Sequence, residues 1–273
     1  MYDDYSVLMS VYHREKPEYL RQSIESMLAQ TVATNDFVIV CDGPLTSELD
    51  AVIEEFLAVH PSLFQIARLK ENVGIGAAAN HGLKRCRNEW VAKMDADDIA
   101  CSDRCESQLK LIEQNPQLSI VGGYISEFEG TIHNVVSLRK VPITNEDILK
   151  YAQRRMPFNN QTVMYRKSDV ETVGGYSSLR RCEDYDLYLR MLANGFAAQN
   201  IAQVLVQYRL TKDAFKRRGT WNNFEGFFRV RWSAYRIGFS SLWDVCVACS
   251  GQFILTLLPA SLKKVMYTRL LRK

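Results

Sequence analysis

Short apolar runs alternate with amphipathic stretches along the first 122 residues of the chain. Tyr5–Val11 leads into a helix opened by Pro17, whose fixed φ suits a first helical turn. Phe37–Cys41 is followed by a helical pattern over Glu48–Val59, Phe64–Leu69 by one around Ala77–Cys86, and Trp90–Met94 by one around Asp103–Gln114. A further apolar run lies at Leu118–Val121. Repeated βα units of this length predict an α/β fold, a mostly parallel sheet with helices on both faces. Beyond Gly122 the strands shorten. The pattern there predicts a helix over Glu146–Arg154, a strand at Thr162–Tyr165, a turn at Gly174–Gly175, and a helix from Glu183 to Asn194 stopped by Gly195.

In such sheets, loops and helix N-termini converge at the carboxyl ends of the strands, so ligands collect there. The polar residues at that edge are Tyr12 and His13, then Asp42 and Gly43, then Asn72 to Gly76, then Asp95, Asp97 and Asp98. Three carboxylates within four residues repel one another unless a cation is close. Carboxylate oxygens are hard ligands suited to Mg2+ or Mn2+, which leave positions for water and substrate phosphates, so a metal diphosphate is the natural guest. Helix capping accounts for one such acid but not for three.

The chain has 273 residues, enough for one large domain, and its 47% hydrophobic and 24% charged content excludes disordered and low-complexity classes. Seven scattered cysteines suit a reducing compartment, and the N-terminal segment carries no secretory pattern, so a cytoplasmic location is expected. Cys246 and Cys249 form a CxxC with no partner pair or His to complete a zinc site. The net charge of +3 conceals an asymmetry: from Ile201 onward thirteen Lys and Arg face three acids, giving +10 and leaving −7 for residues 1–200. Lys216, Arg217, Arg218, Arg229, Arg231 and Arg236 are interleaved with Trp221, Phe224, Phe227, Phe228, Trp232 and Tyr235. Nucleic acid could use such a pattern, but an amphipathic helix on an anionic membrane suits it equally, as does packing of the aromatics on the domain. Val245–Leu262 lacks charge, yet its polar residues and length of eighteen barely meet the requirement for a span, so peripheral attachment to the inner face of the cell membrane is expected.

Read in order, Ser10-Val11-Tyr12-His13, Val40-Cys41-Asp42-Gly43, Asn72-Val73-Gly74 with Asn80 and Gly82, Asp95-Ala96-Asp97-Asp98, Gly174-Gly175-Tyr176 and Glu183-Asp184-Tyr185-Asp186-Leu187 resemble the motifs of family 2 glycosyltransferases with the GT-A fold. The resemblance covers about residues 5–210. It implies an inverting enzyme that uses a UDP-sugar (galactose, glucose or N-acetylglucosamine) and Mn2+ or Mg2+. Asp42-Gly43-Pro44-Leu45-Thr46 is further similar to bacterial transferases that build surface polysaccharide or O-antigen. The implied acceptor is a glycan, favouring an undecaprenyl-diphosphate-linked oligosaccharide, with no nucleic-acid partner. The nucleotide-sugar half is residues 1–122, the acceptor half 123–210, and residues 211–273 form a basic, helical, membrane-associating tail.

Carried onto this chain, the resemblance sets Asp42 against the uracil N3–H, with Val11 and Tyr12 lining the same pocket and Asn72 and Gly74 contributing to donor binding. Asp95 and Ala96 lie by the ribose or sugar, Asp97 meets the metal, and Asp98 orients its neighbours. Asp184 is the general base, supported by Glu183. Three departures stand out: Cys41-Asp42 offers one carboxylate where a pair is common, Asn160 and Gln161 replace a common His and Pro, and no His follows Tyr208-Arg209. Gly74-Ile75-Gly76-Ala77-Ala78-Ala79 also imitates a dinucleotide fingerprint, which keeps a nicotinamide-dependent oxidoreductase as the alternative, beside a non-catalytic sugar-nucleotide-binding protein.

Overall fold

The computed structural model describes residues 3–210 and 220–257. The first half runs β1 (Tyr5–Val11), α1 (Pro17–Leu28), β2 (Asp36–Cys41), α2 (Ser47–Val59), β3 (Phe64–Arg68), α3 (Ile75–Leu83), β4 (Trp90–Asp95), β5 (Ile99–Ala100) and α4 (Arg104–Gln114). The second runs β6 (Leu118–Phe128), β7 (Val135–Arg139), α5 (Asn145–Ala152), β8 (Met164–Arg166), α6 (Lys167–Thr172), α7 (Glu183–Ala193) and β9 (Ala197–Arg209), followed by α8 (Trp221–Arg236) and α9 (Leu242–Leu257). The sheet order is β3-β2-β1-β4-β8-β6-β9-β5, with β7 on β6. Strands β1 to β4 pair in parallel, β8 is antiparallel to both neighbours, and β6 and β9 are parallel.

Side chains alternate across the sheet and sort the core into two layers. Tyr5, Val7, Met9 and Val11 face α1, α2 and α4, with Phe37, Ile39 and Met94 beside them. Leu8, Val38, Val40 and Val91 face α3, α5 and α7. Helix α3 lies close on that second face because Gly82 has no side chain: a Cβ there would stand 2.3 Å from a Leu8 methyl and 2.6 Å from a Val40 methyl. Gly82→Val should therefore lift α3 and cost about 1–3 kcal/mol. Calorimetry should read this as a fall in Tm of roughly 5 °C, and an unchanged Tm would contradict the close approach.

The second half departs most from the sequence reading. The apolar run expected to end at Val121 continues to Phe128, through Gly122 and Gly123. These glycines accommodate β9, since a Cβ on either would lie within 2.5 Å of Asn200 Oδ1 or a Leu205 methyl. The strand expected at Thr162–Tyr165 starts later, because Asn160–Thr162 forms a single 3-10 turn before β8.

The basic, aromatic segment joins the domain through one helix face. Val230 and Ala234 of α8 enter the core beside α7, and Arg231 is fully buried, donating to the Ala152 and Gln153 carbonyls at the end of α5. Its guanidinium lies 4.3 Å from the Tyr185 ring centroid. Phe227 packs on the same tyrosine, whereas Trp221, Phe228, Trp232 and Tyr235 are exposed. Among the described residues no helix is long and apolar enough to cross a membrane; residues 258–262 of the uncharged stretch, and Lys216, Arg217 and Arg218, lie outside the described residues.

Candidate active site

The carboxyl ends of β1, β2 and β3 make one wall of the site. The Asp42 N–H donates to the Val11 carbonyl at 2.8 Å, which sets Asp42 beside Val11 and the half-buried Tyr12. The Asp42 carboxylate accepts from the Val73 N–H (2.7 Å), the Gly74 N–H (3.1 Å) and the Asn72 amide (2.9 Å). It thereby moulds the Asn72–Gly74 loop; with about four acceptor positions on a carboxylate, roughly one is left for a ligand. Gly43, at φ +87°, permits this closure, because a Cβ there would lie 2.8 Å from the Asn72 nitrogen.

Strand β4 ends at the acids. Val91, Lys93 and Asp95 share the face toward α3 and α7, so the Lys93 ammonium, buried to 2% exposure, reaches Asp95 at 3.2 Å. Ala96 is buried and Asp97 half-buried. Asp98 turns inward: it is fully buried, and its Oδ1 accepts the Arg209 N–H at 2.9 Å. Burial, then the charges of Asp97 and Asp95, push its carboxyl well above the usual range. The Arg209 guanidinium donates to the Asp97 carbonyl (2.9 Å) and to Gln22 (2.6 Å), and stacks over Tyr19 at 4.0 Å. This arginine therefore holds the Asp97-Asp98 turn by its backbone.

The opposite wall is the start of α7. Cys182 adopts a left-handed conformation, φ +63°, and turns the chain so that the helix opens on Glu183 and Asp184. Gly76 of α3 abuts Glu183: a Cβ on it would lie 3.1 Å from Glu183 Cγ. Burial and the neighbouring Asp184 push the Glu183 carboxyl up to about 7, against the pull of its own N–H and the cations Lys93 and Arg181. Asp184 is also raised, by burial and the charge of Asp95, while the Tyr185 N–H (2.7 Å) and Lys93 oppose the rise. The two acids therefore belong to the same electrostatic site as β4.

The remaining motif residues brace these walls. Asn80 of α3 exchanges two 2.8 Å hydrogen bonds with the Tyr176 main chain, and Arg190 of α7 pairs with Asp186 while donating to the Gly175 carbonyl at 2.7 Å. Asn80, the Gly174-Gly175-Tyr176 turn and α7 are thus one mechanical unit. Asn160 accepts from the Tyr188 hydroxyl at 2.8 Å, and Gln161 is buried. Sequence reasoning gave no role to Lys93 or Arg209. The available signal was a lysine inside an apolar strand on the same face as Asp95; nothing local marked Arg209, whose partners lie more than 100 positions away.

Among the described residues no group of three or more His, Cys, Asp or Glu is arranged to enclose a metal ion. The partly exposed Asp95 and the half-buried Asp97 still offer hard oxygen donors at the strand end. That donor set fits a divalent ion that takes its other ligands from a diphosphate and water.

A parallel sheet that turns antiparallel beside an acid-tipped central strand, with a second acidic pair on the facing helix, is the arrangement of a GT-A glycosyltransferase. The chain belongs to glycosyl transferase family 2, whose family model matches residues 6–186. It is 34% identical over 269 residues to the UDP-Gal:alpha-D-GlcNAc-diphosphoundecaprenol beta-1,3-galactosyltransferase of Escherichia coli, spanning 98% of this chain and 97% of that one. It is 35% identical to the amylovoran biosynthesis glycosyltransferase AmsE of Erwinia amylovora, over 86% of this chain and 88% of that one. The fold matches the mannosyltransferase PcManGT of Pyrobaculum calidifontis, solved with GDP-Man and Mn2+, at TM-score 0.67 and 13% identity, covering 97% of this chain and 79% of that one. The chain is a glycosyltransferase, and its glycine turn at Gly74–Gly76 serves loop and helix packing in that fold rather than a nicotinamide enzyme.

Proposed function

We propose that the protein transfers a hexose from a UDP-sugar, with inversion, to a hydroxyl of a lipid-linked acceptor in bacterial surface-polysaccharide synthesis. The observation that carries this reading is that Asp95 at the end of β4 lies close enough to the start of α7 for its charge to raise the Asp184 carboxyl, with Lys93 of β4 acting on both Glu183 and Asp184. UDP is favoured as the nucleotide, and galactose as the sugar, by the Escherichia coli relative with 97% of its length matched.

Val11, Tyr12, Asn72, Gly74 and the remaining acceptor position of Asp42 bind the nucleoside, and Asp95 with Ala96 borders the ribose or sugar. Asp97, with Asp95, would hold Mn2+ or Mg2+, which supplies positive charge to the departing diphosphate when bound. Asp98 keeps the acidic turn in shape through Arg209. Asp184 takes the proton from the acceptor hydroxyl as its oxygen bonds to the anomeric carbon. The bond from that carbon to the diphosphate oxygen breaks on the opposite side, UDP departs with the electron pair, and an α-linked donor gives a β-linked product. Lys93, beneath both walls, offsets the negative charge gathered there.

Calorimetric titration with UDP, GDP and NAD, with and without Mn2+, tests the reading. UDP should bind with the metal present and NAD should not; metal-independent NAD binding without a UDP response would sink it.

Peripheral attachment to an anionic membrane is part of the same proposal. Phe228 and Trp232 stack at 6.2 Å on the outer face of α8, flanked by Arg229 and Arg236, and Ile237, Leu242 and Trp243 extend the exposed apolar surface. Cutting the chain near Leu210 would also strip Val230, Arg231 and Ala234 from the core, so surface substitutions are the cleaner probe. Phe228→Ser with Trp232→Ser should weaken binding to vesicles containing phosphatidylglycerol about 10- to 100-fold without lowering Tm, as expected for two partly inserted aromatic side chains. Unaltered vesicle binding would remove this face from the membrane surface.

A further inference from the structure

A cavity of about 600 Å³ opens between the Asn72–Gly74 loop, the segment leading into α7 and helix α8. Arg180, Arg181 and Arg229 line it, against a single carboxylate, Glu225. Glu225 pairs with Arg229 at 2.6 Å in an exposed ion pair, which leaves the cavity an excess of two positive charges. Arg180 and Arg181 are exposed and form no salt bridge among the described residues. The cavity wall is set by backbone approach: a Cβ on Gly226 would lie 2.8 Å from the Arg181 carbonyl oxygen, and buried Arg231 ties the same helix to Tyr185.

Two further features give the cavity a direction. Arg181 precedes Asp184 by three residues, so its backbone is within about 11 Å of that of the proposed base. Arg229 also lines a second, surface groove of about 410 Å³ formed with Phe228, Trp232, Arg236 and Ile237. One arginine thus lines both the basic cavity and an apolar, aromatic groove.

We infer that Arg180, Arg181 and Arg229 form the subsite for the acceptor's diphosphate, on the side of the site where the proposed base lies, with its hydrocarbon chain running along the Phe228–Trp232 groove. The inference rests on the transferase reading and sharpens it: the acceptor is one that carries its diphosphate close to the sugar whose hydroxyl reacts. Guanidinium groups suit this ligand, since their paired N–H donors match phosphate oxygens. Asn72, Val73 and Gly74 rim this cavity and also border the donor nucleoside, so the two ligands would be neighbours, with the donor's own diphosphate at Asp95 and Asp97.

The test uses the full chain saturated with UDP and Mn2+, so that the donor site is filled, and titrates undecyl diphosphate beside a neutral undecyl glycoside. Undecyl diphosphate should bind at least tenfold more tightly than the glycoside, and Arg180→Ala with Arg181→Ala should abolish that advantage while leaving the affinity for UDP unchanged. Arg229→Ala should weaken binding of the diphosphate in the same direction. Equal binding of the two probes, or variants that bind undecyl diphosphate like the parent, would overturn the subsite while leaving the transferase reading intact. A parallel loss of UDP affinity in the arginine variants would assign these residues to the donor and also overturn it. An arginine effect seen only with anionic vesicles, and not with dissolved undecyl diphosphate, would mark a lipid-headgroup contact rather than the acceptor. If UDP itself fails to bind the parent protein, the transferase reading falls first and the subsite with it.

Discussion

Asp184→Asn should lower kcat roughly 1,000-fold while leaving UDP affinity intact, the size of effect expected when a positioned general base is lost. Asparagine keeps an oxygen that can accept the Tyr185 N–H, now 2.7 Å from the carboxylate, so the helix start should survive and the loss should be chemical. Glu183→Gln separates the two acids. With its carboxyl pushed up to about 7, Glu183 is largely protonated at slightly acidic pH, and glutamine imitates that neutral form. Its activity should stay within about tenfold of the parent, well short of the loss expected for the base. The reverse ranking, with Glu183→Gln inactive and Asp184→Asn active, would transfer the base to Glu183.

The same electrostatics fix the direction of the pH dependence. A base must be unprotonated to accept a proton, and burial with Asp95 raises the Asp184 carboxyl above its ordinary value. The acid limb of kcat/KM should therefore lie above the usual carboxylate range, with activity lost as pH falls through that raised value. In Glu183→Gln the limb should stay close to its parent position, because glutamine imitates the neutral Glu183 and it is burial with Asp95 that raises Asp184. In Asp184→Asn the limb should disappear from the residual activity.

How far the sequence revealed this site depended on where each residue finds its partner. The four leading strands were legible because their apolar runs face helices on both sides, and the acids at their ends follow from the rule that places loops there. Strand β9 was not read as a single strand: Gln199, Asn200, Gln203 and Gln207 interrupt its apolar pattern, and its register with β6 shifts as the chain passes Gly122 and Gly123. Asp42 was found as a site residue, but its three bonds to the Asn72–Gly74 loop could not be read from a turn signal alone. The Gly174-Gly175 turn was legible in the pattern, Asn80 entered through resemblance, and their hydrogen bonds through the Tyr176 main chain explain why such distant motifs belong together. For Asp36, at the opposite edge of the sheet, burial alone would raise the carboxyl. Bonds from the Arg87 N–H, Ser6 and Gln65, and the Arg87 charge, instead hold it below the usual range. It therefore contributes stability above the ordinary carboxylate pKa that is lost as pH falls, whereas at Glu183 and Asp184 burial outweighs the opposing N–H groups and Lys93, so their ionisation costs stability as pH rises.

Asp97→Asn should abolish the metal-dependent part of UDP binding. Asp97 is half-buried at the end of the acidic turn, and Arg209 grips its carbonyl, so the turn's backbone is held independently of the side chain's charge. Replacing the carboxylate by an amide removes a charged oxygen donor from a set in which the protein supplies few ligands, and Mg2+ and Mn2+ depend on such donors. Loss of an outer-sphere partner alone typically costs ~10–100-fold in metal affinity. Losing a direct donor should cost at least roughly 100-fold, read as equal UDP affinity with and without Mn2+ in the calorimeter. Asp98→Asn is the internal control. Its Oδ1 is committed to the Arg209 N–H, and an asparagine oxygen can keep that bond, so the Mn2+ enhancement of UDP binding should persist. If Asp98→Asn removed the enhancement and Asp97→Asn spared it, the acid that holds the ion would be the buried one, and the turn would have to reverse before metal could enter.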